Sequence, residues 1–185
     1  LCAPAAWAAE KLSLSELSAY LNALTTAEAS FTQINDDGTL STGKLYIHRP
    51  GRMRFEYDGE NGATVVAGAG SVVIHDPKSN QPPETYPLKR TPLSIILAKT
   101  VDLGQADMVV GHQFDGTTTI LQAQDPENPE YGGLELMFTD DPVELRKWVV
   151  HDSAGGRTTV VLGALETGGK LSSFLFTTGA GSGSR

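Results

Sequence analysis

The chain has 185 residues, 39% of them hydrophobic, with 14 lysines and arginines against 22 aspartates and glutamates, a net charge of −8 and a pI near 4.9. That length supports one substantial core and is too short for two comfortable domains, and the acidic balance argues against nucleic-acid binding, which needs a basic footprint to displace phosphate counterions. The single cysteine, Cys2, excludes an intramolecular disulfide and a cysteine-based metal site, and no apolar run approaches the roughly 20 residues that a membrane-spanning helix requires.

The first ten residues, LCAPAAWAAE, look like the end of a secretory signal peptide: small apolar residues, then Ala6-Trp7-Ala8 in the A-x-A cleavage pattern, then polar Glu10. Cleavage after Ala8 would remove residues 1–8, Cys2 included. An ordinary disordered start, or lipid attachment at Cys2, are the other readings of the same residues. Residues 13–27 read as the one long helix, opened by a Ser13–Glu16 capping box and carrying Leu14, Leu17, Leu21 and Leu24, with Tyr20, as one apolar stripe. A helix with a single stripe packs on something flat, and a sheet is the obvious partner.

From Ala29 onward nearly everything alternates with period 2 between turn signals such as Asp58-Gly59, Asn61-Gly62 and Asp115-Gly116, which predicts roughly eleven strands in an antiparallel meander curled into a barrel or sandwich. The most informative stretch, residues 44–57, reads KLYIHRPGRMRFEY. Two alternations meet there across Arg49-Pro50-Gly51. Leu45 and Ile47 share a side with Arg49, while Met53, Phe55 and Tyr57 face away from Arg52, Arg54 and Glu56. Parity thus puts one arginine at the end of an apolar face, where desolvation costs several kcal/mol unless partners satisfy its donors. Residues 91–99 break the strand pattern: Thr91 as N-cap, Pro92 at the first helical position, then Leu93, Ile95, Ile96 and Leu97 before Lys99 predict a short helix, greasy nearly all round, that must be covered on both sides. The final residues, 179–185, have the composition of a flexible linker.

Catalytic signatures are missing from this sequence. His48, His75, His112 and His151 fall in separate strands without metal-ligand spacing, His75-Asp76 and His151-Asp152 sit where strands enter turns, and there is no nucleophile elbow, P-loop or dinucleotide fingerprint. An acidic β-rich shell with a greasy inner face is the profile of a container, with no cofactor or metal implied.

Several segments, in this order and spacing, carry a family resemblance: Ala29-Ser30-Phe31-Thr32-Gln33; Gly43 through Pro50 with Phe55 and Tyr57; Gly70 through Pro77; Thr91-Pro92-Leu93; and Phe174-Leu175-Phe176. The chain resembles the outer-membrane lipoprotein carrier (LolA) family of periplasmic chaperones. That resemblance implies a half-open antiparallel barrel of about eleven strands over residues 9–178, covered by an N-terminal helix and a short lid helix. It implies a monomer, with no enzymatic activity, that takes acylated lipoproteins from an inner-membrane lipoprotein-releasing ABC transporter and delivers them to an outer-membrane receptor. Arg49 falls at the family's Arg-Pro motif, whose arginine latches the lid, and Pro92, Leu93, Ile95, Ile96 and Leu97 fall at a lid helix. Parity then nominates Leu45, Ile47, Met53, Phe55, Tyr57, Met108, Val110, Phe114, Leu134, Leu136 and Phe138 as acyl-cavity residues, each of which fits equally well as core beneath the long helix. The same fold also suits a lipid-anchored outer-membrane receptor or an envelope-sensing domain that binds a protein.

Overall fold

The computed structural model describes residues 8–178, so the expected leader remnant before Ala8, with Cys2, and the expected tail at 179–185 lie outside the described residues. The first helix, α1 (Leu14–Ala23), opens as its sequence dictates: the Ser13 hydroxyl accepts from the Glu16 backbone N–H at 3.2 Å and the Glu16 carboxylate accepts from the Ser13 N–H at 2.7 Å. It ends at Ala23, short of the expected 27. The chain is already extended by Thr25, whose carbonyl accepts from the Arg49 N–H at 2.8 Å, and Thr26 opens the first strand. Consecutive β-branched residues favour that extended backbone over another helical turn.

The strands are β1 (Thr26–Ile34), β2 (Leu40–His48), β3 (Arg52–Tyr57), β4 (Thr64–Gly68), β5 (Ser71–His75), β6 (Glu84–Pro87), β7 (Val109–Phe114), β8 (Thr118–Gln124), β9 (Gly133–Thr139), β10 (Glu144–His151), β11 (Arg157–Leu162) and β12 (Glu166–Thr167). All pairings are antiparallel, in the order β6-β5-β4-β3-β2-β1-β11-β10-β9-β8-β7, with two-residue β12 beside β1. This is the expected half-open barrel. Its centre is β1, from which one meander runs out to β6, while a second starts at the other edge, β7, and returns to β1 through β11. The two edge strands never pair, so the segment joining them, residues 88–108, has to cross from one rim of the curved sheet to the other. A single 3-10 turn (Leu88–Arg90) and the second helix, α2 (Leu93–Leu97), lie in that crossing.

Register aligns the inward side chains into rows. Ile74, Val65, Phe55, Leu45 and Ala29 are successive cross-strand partners, as are Leu121, Leu136, Trp148 and Val160. Phe55 and Leu45 of the first row and all four of the second join Leu17 and Leu21 of α1, Leu24 just after it, and Ile96, Leu97 and Leu103 of the crossing in one buried core. The hairpin between β2 and β3 turns at Arg49-Pro50-Gly51, where Gly51 has φ +74°, a conformation open to glycine at little cost. On the outer face, a C-terminal 3-10 turn (Ser173–Phe176) lies against β2 and β3: the Phe176 ring meets His48 edge-on at 5.8 Å, and Arg54 donates to the Leu175 carbonyl at 3.2 Å. Among the described residues, no helix is long and apolar enough to cross a membrane.

Candidate functional site

Beneath one end of the 88–108 crossing lies an open cavity of about 820 Å³. Its deep walls are Phe55, Val72, Leu134, Trp148 and Val160, all buried, joined by Tyr57, Val65, Ile74 and Val150, while Pro92 and Leu93 of the lid close over it. The strand parity accounts for this lining, since every one of these strand residues faces inward. The aromatic rings brace one another edge to face: Phe31 with Tyr57 at 5.2 Å, Phe31 with Phe55 at 5.4 Å and Phe55 with Trp148 at 5.9 Å. One polar pair enters the wall, where the Tyr57 hydroxyl donates to Gln33 at 2.7 Å and burial pushes the phenol's pKa upward. Such a space accepts hydrocarbon without leaving polar groups stranded.

The lid is fastened at its C-terminal end. Arg49 is 7% exposed and donates to three carbonyls: Leu21 and Leu24 (3.2 Å) at the end of α1, and Ala98 (2.6 Å) at the end of α2. Its Nε has no partner among the described residues, and burial lowers its pKa. The same turn adds the Gly51 N–H donating to the Leu97 carbonyl at 2.9 Å. From α1, Asn22 makes two bonds to the backbone of Val101, each 2.8 Å, and the Ser18 hydroxyl accepts from the Leu103 N–H at 3.0 Å. Sequence reasoning missed Ser18 and Asn22. Their one signal is i, i+4 spacing on the helix flank beside Leu17 and Leu21.

The residues nominated by parity divide by depth. Phe55, Tyr57 and Leu134 line the cavity. Leu45, Ile47, Met53, Leu136 and Phe138 are fully buried core and form none of its wall; Phe138 lies under α1, with the Tyr20 ring edge-on at 5.8 Å. Met108 borders smaller grooves on the other flank of α2, and Ile95 does the same, whereas Ile96 and Leu97 are buried in the core. Val110 is corrected outright: it is 58% exposed, because the register shifts between Val109 and Gly111. Val109 pairs with buried Ala123, and Phe114 with buried Thr119, so these two face inward and Val110 becomes the extra residue of a β-bulge. Phe114 is half-buried and stands apart from the cavity wall. Thr91 is corrected as well. Its hydroxyl donates back to the Leu88 carbonyl at 2.9 Å, and α2 has no side-chain cap. The two His-Asp pairs serve turns: Asp76 accepts from the Lys78 N–H, and Asp152 from the N–H groups of Ala154 and Gly156.

An open antiparallel half-barrel with a helix-lidded apolar cavity defines a class of proteins. Residues 22–179 match the family model described as outer membrane lipoprotein carrier protein LolA, and the chain belongs to that family. The outer-membrane lipoprotein carrier protein of Chromohalobacter salexigens is 26% identical over 172 residues, spanning 87% of this chain and 80% of the relative. That of Methylobacillus flagellatus is 23% identical over 185 residues, spanning 95% and 89%. Among solved structures, a domain from Vibrio parahaemolyticus superposes with a TM-score of 0.52 at 10% identity, over 90% of this chain and 95% of that one, which is a likeness of fold.

Proposed function

We propose that this protein is a periplasmic chaperone that shields the acyl chains of lipoproteins and carries them from an inner-membrane lipoprotein-releasing ABC transporter to an outer-membrane receptor, acting as a monomer. The observation that carries this reading is the 820 Å³ apolar cavity under a hydrogen-bonded lid in a chain of this family. Burying acyl chain yields about 0.8 kcal/mol per methylene, so a chain of about 15 methylenes gains on the order of 12 kcal/mol and would never leave a sealed pocket unaided. A carrier therefore needs a closed state that competes with the loaded one. Arg49 supplies it as a latch: its bonds to Leu21, Leu24 and Ala98 hold the lid down, and loading exchanges them for acyl contacts, keeping the two states within a few kcal/mol.

Native mass spectrometry of the protein mixed with a triacylated lipoprotein, and separately with its unlipidated form, tests the reading. Stoichiometric binding of the acylated form alone is expected. Equal binding of both forms, or of neither, would redirect the search to recognition of protein surface.

A further inference from the structure

The cavity has a polar rim. Its inner wall is largely apolar, whereas its exposed lining residues, with Tyr86, Arg90, Tyr131 and Asp152 among them, gather where the chain leaves β6 and faces the loops beside β9 and β10. The opposite end of the lid is tied down through Arg49, Gly51, Asn22 and Ser18, so the accessible mouth is at the Arg90 end. Two of these four polar groups already have partners. Asp152 is occupied by its own turn, accepting from Ala154 and Gly156, and the Tyr86 hydroxyl donates to Glu84. Arg90 is different: among the described residues its exposed guanidinium makes no hydrogen bond or ion pair with the protein, so at the edge of an apolar cavity its five donors are met by water alone. Tyr131, 43% exposed, stands at the same mouth with its hydroxyl likewise unpaired among the described residues.

We infer that Arg90, with Tyr131, forms a collar that binds the ester carbonyls of an acylated glycerol whose chains occupy the cavity. The inference rests on the acyl-carrier reading above. A bare hydrocarbon leaves these exposed donors to water, whereas a diacylglyceryl group places acceptor oxygens where its chains meet its head, at the depth of the rim, where they can take the water's place. The guanidinium is planar and weakly hydrated, so it can sit at an apolar boundary and reach two oxygens together. The apolar stem of Arg90 covers hydrocarbon while its head stays at the water boundary, and the amphipathic tyrosine ring does the same. The collar sets how deeply a cargo is seated, and it favours ester-linked lipid over hydrocarbon of equal length.

The test uses the intact protein and Trp148, which lines the cavity, as the fluorescent reporter. Wild type, Arg90→Met and Arg90→Lys are titrated with a dipalmitoylglyceryl-cysteine lipopeptide, with its dialkyl-ether counterpart and with dipalmitoylphosphatidylglycerol. Arg90→Met keeps the stem and removes the donors, so it should bind the ester lipopeptide about tenfold more weakly, the scale of one charge-assisted hydrogen bond. The ether counterpart should bind wild type and Arg90→Met alike, and Arg90→Lys should recover part of the loss. An unchanged ester affinity, or equal weakening for ester and ether, overturns the collar while leaving the carrier reading in place. Weakening confined to the phospholipid assigns Arg90 to phosphate and overturns the carbonyl assignment. A wild-type protein that takes none of the three ligands overturns the carrier reading and the collar together.

Discussion

Arg49 carries its meaning in its parity. The alternation through Leu45 and Ile47 aims it inward, and burial there is tolerable because the carbonyls of Leu21 in α1 and of Leu24 and Ala98, the residues that follow α1 and α2, accept from it. If Arg49 is the latch proposed above, Arg49→Leu, which leaves those carbonyls without their donor, should accumulate lipoprotein and stop its transfer to a receptor; normal uptake and release in a transfer assay would remove the latch. On the outer face, His48 has a buried Nδ1 without a partner among the described residues, and desolvation, then the nearby Arg52 cation, lowers its pKa. The sign follows from which state takes the proton. The folded protein prefers neutral His48 while the unfolded chain protonates near the ordinary value of 6.5, so this residue's contribution falls as the pH drops below that value. His48→Gln should therefore flatten the loss of stability between neutral and mildly acidic pH, read from urea midpoints in both buffers.

At the scale of elements, local sequence was most legible where one short-range rule decides. The capping box of α1 lies within four consecutive residues and forms as read, and Ser13→Ala should cost about 1 kcal/mol in urea unfolding. The lid's attachment was illegible because Asn22 and Val101 are brought together only by the fold. Asn22→Ala should destabilise by about 1 kcal/mol and speed amide exchange at Val101 more than at any position in β8 or β9, which hydrogen-exchange mass spectrometry resolves. The bulge in β7 escaped for a related reason. Alternation from Met108 through Phe114 looks unbroken in the sequence, and only pairing with β8 shows that one residue has no partner and that inward parity shifts at Val110. The edges are guarded by ordinary chemistry. Pro83 and Pro87 withhold donors at the two ends of β6, and the Lys11 ammonium donates to the exposed His112 carbonyl of β7 at 2.8 Å.

For the whole molecule, one inward face does two jobs. Near α1 it is solid core, and beneath the far end of the lid it walls a cavity, so similar residues have different expected phenotypes. Phe138→Ala should destabilise by about 3–5 kcal/mol, because α1 and the sheet close around that ring. Half-buried Val150 borders the open space, so Val150→Glu should abolish binding of acylated lipoprotein while leaving the unfolding free energy from urea titration within about 1 kcal/mol of the parent's. The antiparallel β-rich architecture, the positions of α1 and α2 and the inward aim of Arg49 follow from local order along the chain, since alternation, caps and turn residues act over a few positions. Which inward residues line empty space, and which carbonyls Arg49 meets, depend on contacts between segments far apart in the chain. Core and cavity share the same period of 2, and what separates them is the path of residues 88–108 from one rim of the sheet to the other, a consequence of closing the order at β1 and β11 that no local pattern encodes.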